Sequence, residues 1–204
     1  MKLSMSDIHK PVLIIIAGPN GSGKTSITSK ILRHEWMENA IYINPDIIAQ
    51  EKFGDWNSKE AIIQSVKYCE TLREDCLKNK TSLIFETVLS AEDKINYILR
   101  AHNAGFFIRF FFVCTESPVI NASRIARRVM EGGHDVPISK IISRYDKSIA
   151  NSSIVSKFVD RAYIYDNSID NTEARLLFRL SNGHLIKQYI ENIPLWARFL
   201  LPSE

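Results

Sequence analysis

Short apolar runs alternate with longer amphipathic stretches along the chain. The run VLIIIA at 12–17 is rich in β-branched residues, as in a strand buried on both faces of a parallel sheet. Four further runs of strand length lie at 40–44, 82–87, 106–114 and 161–167. Helix-length stretches follow these runs, at 24–34, 58–79, 91–104, 118–131 and from 138 onward. This alternation predicts an α/β fold with a mostly parallel sheet that carries helices on both faces.

Turn and cap residues refine this prediction near the C-terminal half. Ser117 and Pro118 suit the N-cap and the first turn of a helix. Asn182 and Gly183 lie between two apolar runs within 175–189, a pattern typical of a β-hairpin. We therefore expect a C-terminal hairpin, over about residues 175–190, that adds antiparallel strands to one edge of the sheet.

The composition is that of an ordinary globular domain. The chain has 204 residues, of which 45% are hydrophobic and 24% charged, and it contains no Pro/Gly/Ser-rich linker. We therefore expect a single domain over residues 1–204. The formal net charge of +3 suits an enzyme with an anionic small substrate and does not by itself indicate nucleic acid.

The cysteines and the hydropathy of the sequence indicate the cellular compartment of the protein. Cys69, Cys76 and Cys114 show no spacing typical of a zinc site, which favours reduced structural thiols in a cytosolic protein. The apolar run VLIIIAG is too short to span a bilayer, and the polar segment before it does not resemble a signal peptide. The sequence predicts a cytoplasmic protein without a membrane partner.

The strongest chemical signal is the segment GPNGSGKTS, which follows the first predicted strand and opens the first predicted helix. It matches the spacing GxxxxGK[ST], whose glycines aim backbone N–H groups at phosphate oxygens. Lys24 would reach the β- and γ-phosphates, and the hydroxyl of Thr25 would hold Mg²⁺. The segment predicts binding of ATP or GTP with Mg²⁺ by Gly18, Pro19, Asn20, Gly21, Ser22, Gly23, Lys24, Thr25 and Ser26.

Polar residues lie at or just after the carboxyl end of each of the other predicted parallel strands. Because the carboxyl ends of parallel strands meet at one edge of a sheet, we expect these residues to line one rim with the phosphate loop. They are Asn44 and Asp46, Glu86 and Thr87, Thr115 and Glu116, and Asp166 and Asn167. We expect Asp46 to lie one strand away from the loop.

Two carboxylates of this rim have both a catalytic and a structural interpretation. Asp46 could accept the proton of a substrate hydroxyl, or it could only stabilise the first turn of the helix that it opens. Glu86 could bind substrate or a magnesium-bound water, or it could be a solvated strand-end carboxylate. Asn44 could orient substrate or only satisfy the turn.

An arginine-bearing segment at 124–148 surrounds a Gly-Gly tip and is typical of a lid that closes over a nucleotide. Arg128 and Arg144 are our candidates for contacts with the transferring phosphoryl group. The alternative is a solvated basic helix face, the usual role of a run of charges. His134, at the tip, is a candidate contact to substrate or nucleotide.

These features together resemble the zeta-toxin-like family of small P-loop kinases. The resemblance extends from about Val12 to Asn167, and its motifs come in the family's order: GPNGSGKT, INPD, FET, GGHDVP and RY. It implies a core like that of shikimate and adenylate kinases, and ATP-dependent phosphorylation of a nucleotide sugar. In characterised zeta toxins this sugar is UDP-N-acetylglucosamine. It also implies an antitoxin that blocks the ATP site.

The resemblance assigns roles to individual residues. The family's loop lysine falls on Lys24, its catalytic aspartate on Asp46, its substrate-binding glutamate on Glu86 beside Thr87, and its two phosphate-binding arginines on Arg128 and Arg144. This chain is shorter than the best-known members, so kinase activity carries over better than the identity of the sugar.

Two other functions are compatible with a phosphate loop. One is an ATP-dependent binding or regulatory module, for which the sequence shows no effector domain. The other is a polynucleotide 5′-kinase, which would need a basic groove for strand ends. The small net charge and the lack of a basic–aromatic cluster along the sequence argue against a nucleic-acid partner.

Overall fold

The structure, a computed structural model, describes residues 10–35, 39–54, 58–131 and 136–202. Strands and helices alternate through most of it. The strands are β1 (Val12–Ala17), β2 (Ile41–Ile43), β3 (Leu83–Thr87), β4 (Phe107–Cys114), β5 (Arg161–Asp166), β6 (Arg175–Ser181) and β7 (His184–Gln188). The helices are α1 (Lys24–Ile31), α2 (Pro45–Phe53), α3 (Lys59–Asn79), α4 (Glu92–Asn103), α5 (Pro118–Met130), α6 (Ile138–Val155) and α7 (Leu195–Arg198).

All seven strands form one sheet in the order β2-β3-β1-β4-β5-β6-β7. The first five of these strands are parallel, whereas β6 and β7 are antiparallel. The predicted α/β class and C-terminal hairpin are therefore confirmed, with Asn182 and Gly183 at positive φ in the hairpin turn. The expectation that Asp46 follows a neighbour of β1 is wrong, because β3 lies between β1 and β2.

The two faces of the sheet bury unequal cores. Alternate residues of β1 point to opposite faces, so Leu13 and Ile15 join the larger core while Ile14 and Ile16 join the smaller one. The larger core includes residues of α2, α3, α4, α6 and α7, and Phe110 and Phe112 of β4. The smaller core includes Ile27 and Ile31 of α1. Helices thus lie on both faces, as predicted.

N-cap side chains that can be recognised in the sequence set where α2 and α5 begin. Asn44 caps α2 by accepting a hydrogen bond from the amide of Asp46 at 2.9 Å, and Pro45 occupies the first turn. Ser117 caps α5 in the same way, with Pro118 after it. These caps fix where each helix leaves the carboxyl edge of the sheet. Among the described residues, no helix is both long and apolar enough to cross a bilayer.

Candidate active site

The loop between β1 and α1 has a backbone that only glycine permits at two points. Gly21 and Gly23 have φ of 77° and 88°. A Cβ atom on Gly21 would lie 2.6 Å from the carbonyl oxygen of Asn121, and one on Gly23 would lie 2.1 Å from Nδ2 of Asn167. The spacing of the glycines therefore follows from close packing of the loop as well as from its turn.

The loop opens α1 and offers unpaired donors. The amides of Gly23, Lys24 and Thr25 have no backbone acceptor among the described residues, and they stand at the positive end of the α1 dipole. Nζ of Lys24 donates to the carbonyls of Gly18 and Pro19 at 2.9 and 3.1 Å. These donors converge on one loop, as binding of a polyphosphate requires.

Burial is the main reason why the pKa of the Lys24 ammonium is lowered to about 8. The negative charge of Glu86 opposes this shift, and the positive charge of Arg128 adds to it. An anion beside the Lys24 ammonium would stabilise its charged form. The charges of Glu86 and Arg128 therefore both act on Lys24, close to the position expected for the phosphates.

Two asparagines clamp the loop from other elements. Nδ2 of Asn121 donates to the carbonyl of Asn20, and Nδ2 of Asn167 donates to the carbonyl of Ser22, each at 2.8 Å. Asn121 is fully buried and in turn accepts a short hydrogen bond from the hydroxyl of Thr115. The sequence placed Asn167 on the rim but gave no role to Asn121, whose only signal is an amide in the first turns of an amphipathic helix.

A cavity of about 350 Å³ joins the loop to three of the predicted site residues. Loop residues between Asn20 and Thr25 line it together with Asp46, Glu86 and Arg128. The carboxylate of Asp46 is exposed and accepts no hydrogen bond from any other described residue. Since Asn44 caps α2, the Asp46 carboxylate is available for another contact.

Glu86 is held from two sides. The hydroxyls of Thr28 and Tyr42 both donate to Oε1 of Glu86, at 2.7 and 3.2 Å. Nδ2 of Asn44 donates to the Tyr42 hydroxyl at 2.7 Å, which extends the network to the start of α2. The Glu86 carboxylate is thus linked through Tyr42 and Asn44 to the backbone amide of Asp46.

The arginines of α5 and α6 occupy different places. Arg128 lines the cavity, whereas Arg144 lines a separate cavity with Ser90 and Lys140 and does not reach the loop. Arg124 also lines the main cavity, and its guanidinium pairs with Asp170 at 2.7 Å. This pairing holds the pKa of Asp170 below its ordinary value.

The remaining predicted residues have mixed outcomes. The carbonyl of Thr87 accepts a hydrogen bond from the amide of Gly18 at 3.2 Å, so Thr87 anchors the start of the loop and does not line the cavity. Thr25 lines the cavity, and Ser26 is exposed in the first turn of α1. His134 lies outside the described residues.

The arrangement fits a nucleoside triphosphate with its metal ion. Backbone donors, a buried ammonium and Arg128 offer positive potential to a polyphosphate, and the hydroxyl of Thr25 is a hard oxygen ligand of the kind that Mg²⁺ accepts. Asp46 and Glu86 supply carboxylates at the same cavity, beside the phosphate position. Such a site can orient a hydroxyl group and take up its proton.

Comparison with known proteins places the chain among relatives of similar architecture. The profile of the family described as "Zeta toxin" matches residues 1–171. A protein of Haemophilus influenzae, described as uncharacterised, is 27% identical over 132 residues, which are 65% of this chain and 91% of that protein.

Two solved structures show the same fold at low sequence identity. A chain of the AvrRxo1-ORF1:-ORF2 complex with ATP has a TM-score of 0.67 and 18% identity, over 98% of this chain and 66% of that chain. A chain from the PezAT toxin–antitoxin system of Streptococcus pneumoniae has a TM-score of 0.59 and 19% identity, over 84% of this chain and 71% of that chain. The chain thus spans just under two thirds of the AvrRxo1 protein that it matches.

Proposed function

Because the chain belongs to the zeta toxin family and has the fold of a P-loop kinase, we propose that it transfers the γ-phosphoryl group of ATP to a hydroxyl group of a small metabolite. One observation carries the proposal: a single cavity is lined by the phosphate loop, Asp46, Glu86 and Arg128. Asp46 and Glu86 place two carboxylates beside the loop, where one can accept the proton of an attacking hydroxyl and the other can bind the acceptor.

The loop residues hold the nucleotide. The free amides at the start of α1 and the Lys24 ammonium bind the phosphate oxygens, while the clamps from Asn121 and Asn167 keep the loop in shape. Thr25 would hold Mg²⁺, which when bound neutralises charge on the β- and γ-phosphates. GTP would fit the same phosphate contacts.

Asp46 is the general base in this proposal. It accepts the proton of the acceptor hydroxyl while that oxygen bonds to the γ-phosphorus, and the bond between the γ-phosphorus and the β-phosphate oxygen breaks to release ADP. Arg128, and Arg144 after movement of α6, stabilise the charge on the transferring group. Glu86 and the predicted contact His134 belong to the proposed acceptor site, while Asn44 supports Glu86 through Tyr42 and Thr87 anchors the loop.

A nucleotide sugar, with UDP-N-acetylglucosamine first, is our proposed acceptor. Support comes from the family resemblance and from Glu86, since a carboxylate fixed through one oxygen can accept hydrogen bonds from sugar hydroxyls through its other oxygen. The sugar's hydroxyl would approach Asp46 from the exposed side of the cavity.

A protein partner is proposed on the same grounds. The PezAT structure comes from a toxin–antitoxin system, and the AvrRxo1 chain is in a two-protein complex. By analogy, an antitoxin would cover the nucleotide cavity of this chain and prevent ATP from binding in the cytoplasm.

The test is a transfer assay with purified protein, γ-labelled ATP, Mg²⁺ and a panel of nucleotide sugars and dinucleotides. We expect a labelled phosphorylated sugar from the wild-type protein and none from Lys24→Ala. Mass spectrometry of cell metabolites after induction of each form would identify the natural acceptor. Label that appears only in inorganic phosphate, with every acceptor and with cell extract, would contradict the proposal.

A further inference from the structure

One face of the sheet carries a row of basic and aromatic side chains across β4, β5, β6 and β7. Paired residues of neighbouring strands share a face, and so do residues two apart along a strand. The pairs that define the row are Arg109 with Arg161, Tyr163 with Arg179, and Arg179 with Lys187. Phe107, two positions before Arg109, and Tyr189, two positions after Lys187, lie at the two ends of the row. We call these seven residues the basic sheet face.

Contacts tie the basic sheet face into one surface. The guanidinium groups of Arg109 and Arg161 lie 4.9 and 5.9 Å from the ring centre of Phe107. Arg179 and Lys187 lie 5.8 and 4.9 Å from the ring centre of Tyr189. Each of these rings therefore carries two cations, and the two groups are joined through Tyr163, whose hydroxyl accepts from Arg109 at 3.3 Å.

This arrangement is poor for stability alone. Arg109 opposes Arg161, and Arg179 opposes Lys187, and like charges directly opposite in a sheet are destabilising. Within the described ranges, no carboxylate lies within 4.0 Å of the charged nitrogens of Arg161, Arg179 or Lys187. Nε of Arg179 is buried and has no hydrogen-bond partner in the same part of the chain. An anion over this face would relieve the repulsion between these cations.

The size and chemistry of the face indicate the anion. Four neighbouring strands span about 14 Å between the first and the last, which exceeds a single phosphate group and suits a chain of several. Arg161, Lys187 and Tyr189 are exposed, so cations and an aromatic ring are available together. Proteins that bind single-stranded nucleic acid combine such cations for the phosphates with rings and guanidinium planes on which bases stack. A second copy of this chain would bring like charge against like charge.

We propose that the basic sheet face binds single-stranded nucleic acid. The face is separate from the cavity, because Phe107 and Arg161 begin β4 and β5, whereas the phosphate loop follows the carboxyl end of β1. The nucleic acid is therefore a bound partner and not the phosphate acceptor. The basic–aromatic cluster that the sequence lacked is assembled here by the sheet, from residues between 107 and 189.

The test is fluorescence anisotropy of a labelled single-stranded RNA of about 12 nucleotides, titrated with the protein at several salt concentrations. Three or four phosphate contacts predict that log K falls with log salt with a slope of about −2 to −3. The variant Arg179→Gln/Lys187→Gln should lose about 1.4 from the magnitude of this slope, about 0.7 for each cation, and bind about tenfold more weakly at low salt. Tyr189→Leu should weaken binding and leave the slope unchanged.

The matched control is Lys59→Gln/Lys67→Gln, which removes the same charge from exposed positions on α3. It should leave RNA binding and its slope unchanged, and no variant should lower the thermal midpoint or the phosphotransferase activity. The proposal is overturned if wild-type protein shows no salt-dependent binding, if the control loses as much as the test variant, or if polyglutamate binds where RNA does not.

Discussion

At the scale of single residues, Tyr42 connects Glu86 to the start of α2, the helix whose first turn carries Asp46. Its hydroxyl donates a hydrogen bond to Glu86 and accepts one from Nδ2 of Asn44. Oδ1 of Asn44 in turn accepts a hydrogen bond from the backbone amide of Asp46, the proposed base. Burial, reinforced by Glu86, raises the pKa of Tyr42 to about 12, so the hydroxyl keeps its proton at neutral pH. Tyr42 is therefore a positioning residue.

Replacing Tyr42 by phenylalanine tests this role. We expect Tyr42→Phe to lower kcat about tenfold, the effect of about 1.4 kcal/mol from one hydrogen-bonded hydroxyl, because Glu86 loses a donor that orients it and its link to Asn44. The affinity for ATP should stay unchanged, since within the described residues Tyr42 makes no hydrogen bond to the loop and does not line the cavity. Steady-state kinetics and calorimetric ATP titration give the two readouts, with Tyr68→Phe on α3 as control. An unchanged kcat, or a parallel loss of ATP affinity, contradicts the positioning role.

The chemistry of single residues was partly predictable from the sequence. The loop, Asp46 and Glu86 lie at or just after the carboxyl ends of strands, so strand patterns alone could locate them. Asn121 and Tyr42 could not, because their partners are distant in sequence: Asn121 and Asn20 are 101 residues apart, and Tyr42 and Glu86 are 44 apart. Such contacts are set by sheet register, which a local pattern does not encode.

At the scale of elements, α5 and α6 place their arginines differently. Arg128 of α5 already contributes to the cavity, and its charge lowers the pKa of Lys24. Arg144 of α6 lines another cavity and can act on the phosphoryl group only if α6 moves. Helix periodicity predicted both helices, but it could not predict which of their faces meets the nucleotide.

Alanine substitutions separate these two roles. We expect Arg128→Ala to weaken ATP binding and to lower transfer by about 10²–10³-fold, because a donor at the phosphates is lost in both the ground and transition states. Arg144→Ala should lower transfer and leave ATP affinity unchanged, since Arg144 would act only after lid closure. Lys140→Ala, one turn earlier on α6, is the control. Normal transfer by Arg144→Ala would remove Arg144 from the catalytic set.

At the scale of the whole molecule, the sheet separates two kinds of anion chemistry. Its carboxyl edge holds the nucleotide cavity, and the open face of β4–β7 holds the basic sheet face. A net charge of +3 hides this second feature, because acidic side chains elsewhere balance the basic ones. Alternation of strands and helices predicted the parallel sheet, but the insertion of β3 between β1 and β2 was not readable from the chain order.

In the proposed mechanism, Asp46 takes the proton of the acceptor hydroxyl beside a phosphate loop that binds ATP independently. The most direct test is the Asp46→Asn variant, which keeps the size of the side chain and removes its basicity. We expect phosphoryl transfer to fall by about 10²–10⁴-fold, with ATP affinity and thermal midpoint unchanged, while Glu51→Gln on the same helix retains full activity. Transfer by Asp46→Asn at the wild-type rate would show that Asp46 is not the general base.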